Sequence, residues 1–259
     1  MDALKTDSHT FLSLKNICFS YANASKNIYE NFNLEINVGE FVSILGESGC
    51  GKSTLIDMIL GFQRPQSGEI CIQDKEVELY MPQIGVILQN DNLYPWFSNI
   101  KNLMISSKAQ NLNYADKKSR ALEILEKVGL SNKAYLYPHQ LSGGMKQRLL
   151  LARCLFNNVK LLIADEPFNS LDFVTRRRMH DWVLEITSQF GITVLMVTHD
   201  LNESLYLSER IVIISKNSSV FREIKIDRQG LTRNDFYESE IHRKYYQEIE
   251  NIFKADLAK

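Results

Sequence analysis

The chain has 259 residues, 44% of them hydrophobic and 24% charged, and a formal net charge of −1. That length and apolar content can bury a full core in one domain with a small appendage. The near-neutral balance supplies no broad electrostatic footprint for a nucleic-acid backbone, so no nucleic-acid partner is expected. No apolar run approaches the roughly eighteen residues that cross a bilayer, and the opening MDALKTDSHT lacks the basic-then-apolar layout of a secretion signal, so a cytoplasmic chain is expected. Cys18, Cys50, Cys71 and Cys154 show no metal-ligand spacing and read as free thiols.

Residues 1–10 read as a tail. From Phe11 to Val38 apolar and polar residues alternate, as in half-buried antiparallel strands. Phe41 to Leu45 is a continuous apolar strand, and Ser53 to Leu60 is a helix-like run. Between them lies GESGCGKST, which fits the pattern G-x-x-x-x-G-K-[ST] in the strand-to-helix context that the pattern requires. Its glycines let successive backbone N–H groups turn into one concavity, and the following helix adds partial positive charge, so the stretch predicts a phosphate loop. Gly46, Glu47, Ser48, Gly49, Cys50, Gly51, Lys52, Ser53 and Thr54 are the candidate binding set. Lys52 would reach the β- and γ-phosphates and Ser53 would place its hydroxyl on Mg²⁺. Cys50 reads simply as a small residue filling a loop position.

From Leu93 to Asn158 strand signals are few. Leu122, Leu125 and Val128 fall at helical spacing within Tyr114 to Val128, ahead of Gly129, and predict a helical insert. The insert ends in LSGGMKQRLLLARCLF, where Ser142 is a natural N-cap and Met145, Leu149, Ala152 and Phe156 form an apolar stripe. This is a second helix start suited to an anion in a chain with one phosphate loop. It would suit a nucleotide held by another copy, and a plain capped helix with a tight entry turn is the alternative.

LLIADEP, Leu161 to Pro167, reads as a buried strand with two carboxylates at its carboxyl end, where open α/β sheets bind ligands. Asp165 is the expected partner of Mg²⁺, and Glu166 the candidate base that polarises an attacking water. A helix-like run from Arg176 to Phe190 and strands at Ile192 to Val197 and Arg210 to Ser215 follow. The alternation predicts an α/β fold with a mostly parallel sheet. Arg176 to Arg178 reads as a solvated helix face. Past Ser215 only about one short element is expected, an amphipathic helix carrying Ile241, Tyr245, Ile249, Ile252 and Phe253 on one side.

GESGCGKST, LSGGMKQR, LLIADEP and VTHD, in this order and spacing, resemble the ATP-binding subunit of ABC transporters over roughly Phe11 to Ser215. The resemblance implies a P-loop ATPase domain over 11–215, with an N-terminal antiparallel β subdomain, a helical subdomain at about 93–158 and a short extension over 216–259. It implies that Ser142, Gly143 and Gly144 touch the γ-phosphate held by an opposite subunit. It further implies that Gln89 senses Mg²⁺ and couples to a membrane subunit, that Asp172 links the two sites, that His199 contacts the γ-phosphate, and that Tyr21 stacks on adenine. A lone His after an apolar strand is otherwise a structural residue, and an exposed-end Tyr a core or edge aromatic.

LYPWFSNIKNL and DEPFNSLD resemble importers of the nitrate, sulfonate and taurine group. Tyr94 interrupts their leucine-proline-tryptophan stretch, Glu47 stands where proline is usual, and Asn169-Ser170 where glycine-alanine is usual. The implied system is an ATPase, a homodimer in the first instance, on the cytoplasmic face of the cell membrane. Its implied partners are an integral permease and, indirectly, a periplasmic or lipid-anchored solute-binding protein. The rival readings are an ABC importer or exporter of other specificity, a soluble ABC ATPase of DNA repair or translation, and a P-loop kinase. The last does not account for LSGG.

Overall fold

The computed structural model describes residues 10–22, 26–77, 83–88, 92–105, 113–215 and 221–257. In chain order the elements are β1 (Thr10–Phe19), β2 (Tyr29–Asn37), β3 (Phe41–Gly46), α1 (Lys52–Ile59), β4 (Ser67–Ile72), β5 (Lys75–Glu76), β6 (Ile84–Ile87), α2 (Asn99–Met104), α3 (Tyr114–Lys127), α4 (Gly143–Phe156), β7 (Leu161–Asp165), α5 (Phe173–Gln189), β8 (Thr193–Thr198), α6 (Leu201–Leu207), β9 (Arg210–Ile214), β10 (Phe221–Lys225), α7 (Arg233–Glu238) and α8 (Glu240–Leu257). They fall into two compact units, one from residues 1–81 with 193–259, the other from 82–192.

The first unit contains an antiparallel sheet in the order β2-β1-β4-β5. Its strands alternate as the sequence predicts: in β2, Tyr29, Phe32, Leu34 and Ile36 are buried while Glu35 and Asn37 face out. Gly68 in β4 has φ +91, and a Cβ there would meet the backbone oxygens of Lys15 and Asn16 at 2.4 and 2.5 Å, so this crossing admits only glycine. The unit also contains β3 paired in parallel with β8 on one side and β9 on the other, with β10 antiparallel to β9. β3, β8 and β9 are buried at every position, which is why they read as unbroken apolar runs.

The stretch after Ser215 carries more than the one helix its spacing predicts: β10, α7 and α8 are all present among the described residues. β10 and α7 are each short, which leaves too few periods for a hydrophobic pattern to register. Ile249 of α8 and Phe236 of α7 are fully buried with Leu45, Leu205, Ile211 and Ile213, and Ile241, Tyr245, Ile252 and Phe253 pack against that cluster. Arg210 ties the start of β9 to its neighbours. Its guanidinium donates to Glu40 at 2.8 and 2.9 Å, to Glu223 at 2.9 Å and to the Glu35 carbonyl.

The second unit pairs β6 in parallel with β7 and carries α2 to α5. α3 starts on Asn113, whose side chain accepts from the Asp116 N–H, and buries Ala121, Ile124 and Leu125. Leu125 and Val128 of the predicted stripe are fully buried and Leu122 is only half-buried, because Ala121 and Ile124 complete the face that packs. α4 is buried well beyond a single stripe, with Gln147, Leu150, Leu151, Cys154 and Leu155 inside as well. All four cysteines are free thiols, and burial pushes Cys154 up to about 11. Among the described residues no helix is long and apolar enough to cross a membrane.

Candidate functional site

In the first unit the loop between β3 and α1 is built around a buried ammonium. Lys52 is 8% exposed and donates to the Gly46 and Glu47 carbonyls at 2.6 and 2.8 Å. Two neutral carbonyls take two of its three donors, with Cys50 Sγ 4.0 Å away, and none of them cancels its charge, so the loop stores a positive centre that an anion would answer. Gly49 and Gly51 have φ +79 and +108, the positive values that glycine permits. Gly51 is the N-cap of α1 and supplies no side-chain acceptor, which leaves first-turn N–H groups to be met by a ligand or water. Glu47, Ser48, Gly49 and Ser53 are exposed, whereas Thr54 is buried and its Oγ1 lies 3.0 Å from the Tyr21 hydroxyl. Cys50 is buried against Gly46, and burial raises its thiol above the ordinary range, so it fills space as the sequence suggests.

Gly51 is fixed by its surroundings as well as by its φ. A Cβ there would lie 2.5 Å from Ile28 Cγ2 and 3.1 Å from the Tyr29 hydroxyl. Gly51→Ala is therefore expected to weaken ATP binding about tenfold or more through a strained loop, as read by calorimetric titration. Unchanged affinity would show that the loop tolerates the displaced turn.

His199 lies exposed just past β8 in the same unit. The corner it occupies is held by short bonds: Thr198 Oγ1 donates to Glu203 at 2.7 Å and accepts from the Asp200 N–H at 3.0 Å, and Asp200 caps α6 by accepting from the Glu203 N–H at 3.0 Å. Tyr21 is half-exposed and meets Phe19 edge-on at 5.1 Å.

In the second unit Asp165 ends β7, half-buried, and Glu166 follows with φ +46, a left-handed conformation that a non-glycine residue adopts at a cost of about 1–3 kcal/mol. Asn169 Nδ2 donates to the Glu166 Oε2 across the strained turn. Ser142 caps α4 through a 3.4 Å bond from the Met145 N–H, and Ser142 and Gly143 are exposed. A Cβ on Gly143 would sit 3.0 Å from Leu171 and one on Gly144 would sit 2.9 Å from Thr175, so both glycines let the α4 start approach closely. Asp172 caps α5, and hydrogen bonds from Thr175 hold its carboxyl below the usual range. Arg176 and Arg177 are half-buried and only Arg178 is fully exposed, so the arginine run is solvated in part. Gln89 lies outside the described residues.

Sequence reasoning passed over three side chains that hold these groups. Asn169 registered only as an unusual residue. Tyr29 donates to the Gly51 carbonyl at 2.8 Å. Asn102, fully buried, accepts from the Tyr94 N–H at 2.8 Å and donates to the Tyr94, Phe97 and Ser98 carbonyls at 3.0–3.2 Å, so the exposed Tyr94 and Trp96 rings stand on a pinned loop. Only the bonding partners reveal these roles.

As to metal, no cluster of three His, Cys, Asp or Glu side chains forms a cage among the described residues. Ser53 in the first unit and Asp165 in the second each carry a hard oxygen donor of the kind Mg²⁺ takes when phosphates and waters complete its octahedron.

The profile of the family described as ABC transporter matches residues 29–169. The chain is 38% identical over 209 residues to the bicarbonate transport ATP-binding protein CmpD of Synechocystis sp., spanning 79% of this chain and 74% of that protein. It is 37% identical over 202 residues to the nitrate import ATP-binding protein NrtD of the same organism, spanning 78% and 76%. Among solved structures, the dimeric post-hydrolysis state of the ATP-binding cassette MJ0796 bound to ADP and Pi superposes with a TM-score of 0.70 at 33% identity, over 83% of this chain and 99% of that one. The structure of cbiO1 from Clostridium perfringens, 23% identical, shares the fold with a TM-score of 0.79 over 95% and 98% of the two chains. With this profile covering more than half of its length, the chain belongs to the ABC transporter family as an ATP-binding, ATP-hydrolysing subunit.

Proposed function

We propose that the chain powers the import of a small solute through a separate membrane permease, working from the cytoplasmic face of the membrane as a pair of ATPase subunits, identical in the first instance. The carrying observation is that one chain has both a glycine-rich loop closed around Lys52 and a capped helix start at which Ser142 and Gly143 are exposed and Gly144 is buried. A second exposed anion-suited helix start gives a partner copy's nucleotide something to meet. The relatives named for nitrate and bicarbonate support a small solute of the nitrate, sulfonate or taurine kind. A solute-binding protein outside the membrane would deliver it.

In this reading the loop residues Gly46 to Thr54 wrap the phosphates and Tyr21 stacks on the base. Lys52, His199 and the Ser142 turn of the opposite subunit stabilise charge on the γ-phosphate. Glu166 accepts a proton from the attacking water, held in place by Asn169. Ser53, Asp165 and Gln89 are the groups assigned to Mg²⁺, which would neutralise phosphate charge when bound. Asp172 links the two sites, and Gln89 with the Tyr94-Trp96 loop passes the motion to the permease.

The test is a tagged pull-down from detergent-solubilised native membranes with mass spectrometry. A multispanning membrane protein is expected to come down with the chain, and its own relatives would narrow the solute. Recovery of cytoplasmic or nucleic-acid partners alone would leave the ATPase chemistry and remove the transport reading.

A further inference from the structure

The phosphate loop is tied to the antiparallel sheet by two tyrosine hydroxyls, and neither bond is required by the phosphate-loop sequence pattern. Tyr29 opens β2 and sits opposite Phe19 of β1. Its ring is fully buried and packs on Phe32 at 5.2 Å. A phenylalanine would fill that space equally well, so packing alone does not account for the hydroxyl. That hydroxyl donates to the Gly51 carbonyl at 2.8 Å, and burial raises the phenol well above its ordinary range, so it remains a donor throughout the physiological range of pH. The same carbonyl accepts from the Leu55 N–H at 3.0 Å in the first turn of α1. The bond thus fixes the peptide immediately ahead of Lys52, at an N-cap that has no side-chain acceptor of its own.

The second tie is made from the other strand. Phe19, the cross-strand neighbour of Tyr29, meets Tyr21 edge-on at 5.1 Å, and the Tyr21 hydroxyl lies 3.0 Å from Thr54 Oγ1. The paired ends of β1 and β2 therefore grip the start of α1 at two points, Gly51 and Thr54, one on each side of Lys52 and Ser53.

We propose that Tyr29 is a positioning residue for phosphate binding, and that Tyr29 and Tyr21 form a two-hydroxyl clamp that sets the loop before nucleotide arrives. The proposal rests on the reading of Gly46 to Thr54 as the phosphate loop. A loop held in its binding shape gives up less conformational freedom when the anion enters, which is where the gain in affinity comes from.

The experiment titrates the intact protein, Tyr29→Phe, Tyr21→Phe and the double variant with ATP and with inorganic tripolyphosphate, and records each unfolding midpoint without ligand. Tyr29→Phe is expected to bind both ligands about fivefold more weakly, the scale of one buried hydrogen bond. Equal loss for the two ligands places the effect on the phosphates rather than the base. The double variant is expected to lose less than the product of the single losses, because both hydroxyls hold the same turn. Hydrogen exchange at residues 51–54 should quicken in Tyr29→Phe. If the unaltered protein binds neither ligand, the phosphate-loop reading itself fails. If it binds and Tyr29→Phe binds equally well, with only the midpoint lowered, Tyr29 is structural and the inference is overturned. Should Tyr29→Phe not fold, the ¹³Cζ resonance of Tyr29 in the unaltered protein decides: it is expected to keep its hydrogen-bonded position when tripolyphosphate binds, and a large shift, showing the bond broken or remade on binding, overturns the preset clamp.

Discussion

Glu166→Gln lowers steady-state ATP turnover by about 10²- to 10⁴-fold, the span that a positioned general base contributes, and leaves ATP binding in place. The exchange is close to isosteric, and a glutamine oxygen can still accept from Asn169, so the strained turn at φ +46 has no reason to relax. What would be lost, on the proposed role, is the negative oxygen that takes a proton from water. With binding intact and hydrolysis blocked, the two-subunit state accumulates, so ATP is expected to move the variant to twice the monomer mass on size exclusion. Phosphate release and elution volume measured together check both halves. A variant that hydrolyses at the unaltered rate would remove Glu166 from the role.

Arg210→Leu is expected to destabilise the chain by about 3–5 kcal/mol, the scale of breaking a buried ion pair from one side. Arg210 and Glu40 have side chains 8% and 13% exposed, and their doubly bonded contact is closed to solvent on most sides. Without the guanidinium, Glu40 would hold a poorly solvated charge beside β3, and the Glu35 carbonyl would lose a donor. Glu223 is 43% exposed and can turn to water, so its share of the loss is small. The unfolding midpoint should fall by on the order of 10 °C by calorimetry. Adding Glu40→Gln to Arg210→Leu should recover part of the loss, since the stranded charge is then gone. A single variant within 1 kcal/mol of the unaltered protein, as judged by denaturant titration, would show that Glu40 finds solvent or another partner.

These two expectations differ in how far the sequence could carry them. Glu166 is legible because it follows four apolar residues and an aspartate, a local pattern that needs no folded structure. Arg210 in RIVIIS looks like any charged residue opening a strand. Its weight comes from Glu40, 170 positions earlier, which only the parallel pairing of β3 with β9 brings beside it. The helical insert shows the same limit on a smaller scale. Periodicity locates α3, but the face that packs differs at Leu122, because which neighbour receives the helix is not written in its own spacing. The carboxyl-terminal stretch is the largest shortfall, since β10 and α7 are too short to impose a pattern and exist through their pairing and packing.

What the sequence by itself determined is what is local in the chain: the glycine-rich loop of Gly46 to Thr54, the carboxylates after Ala164, the serine that caps α4, and the strands buried on both faces. Each is fixed by residues within about ten positions of one another, where backbone geometry and hydrogen bonding act directly. The tertiary structure alone decided what holds those groups in place. Tyr29 reaches Gly51 across 22 positions and Tyr21 reaches Thr54 across 33. Such partners are chosen by how strands register and helices pack, and a side chain's burial and bonding, unlike its identity, come into being only when the chain closes on itself.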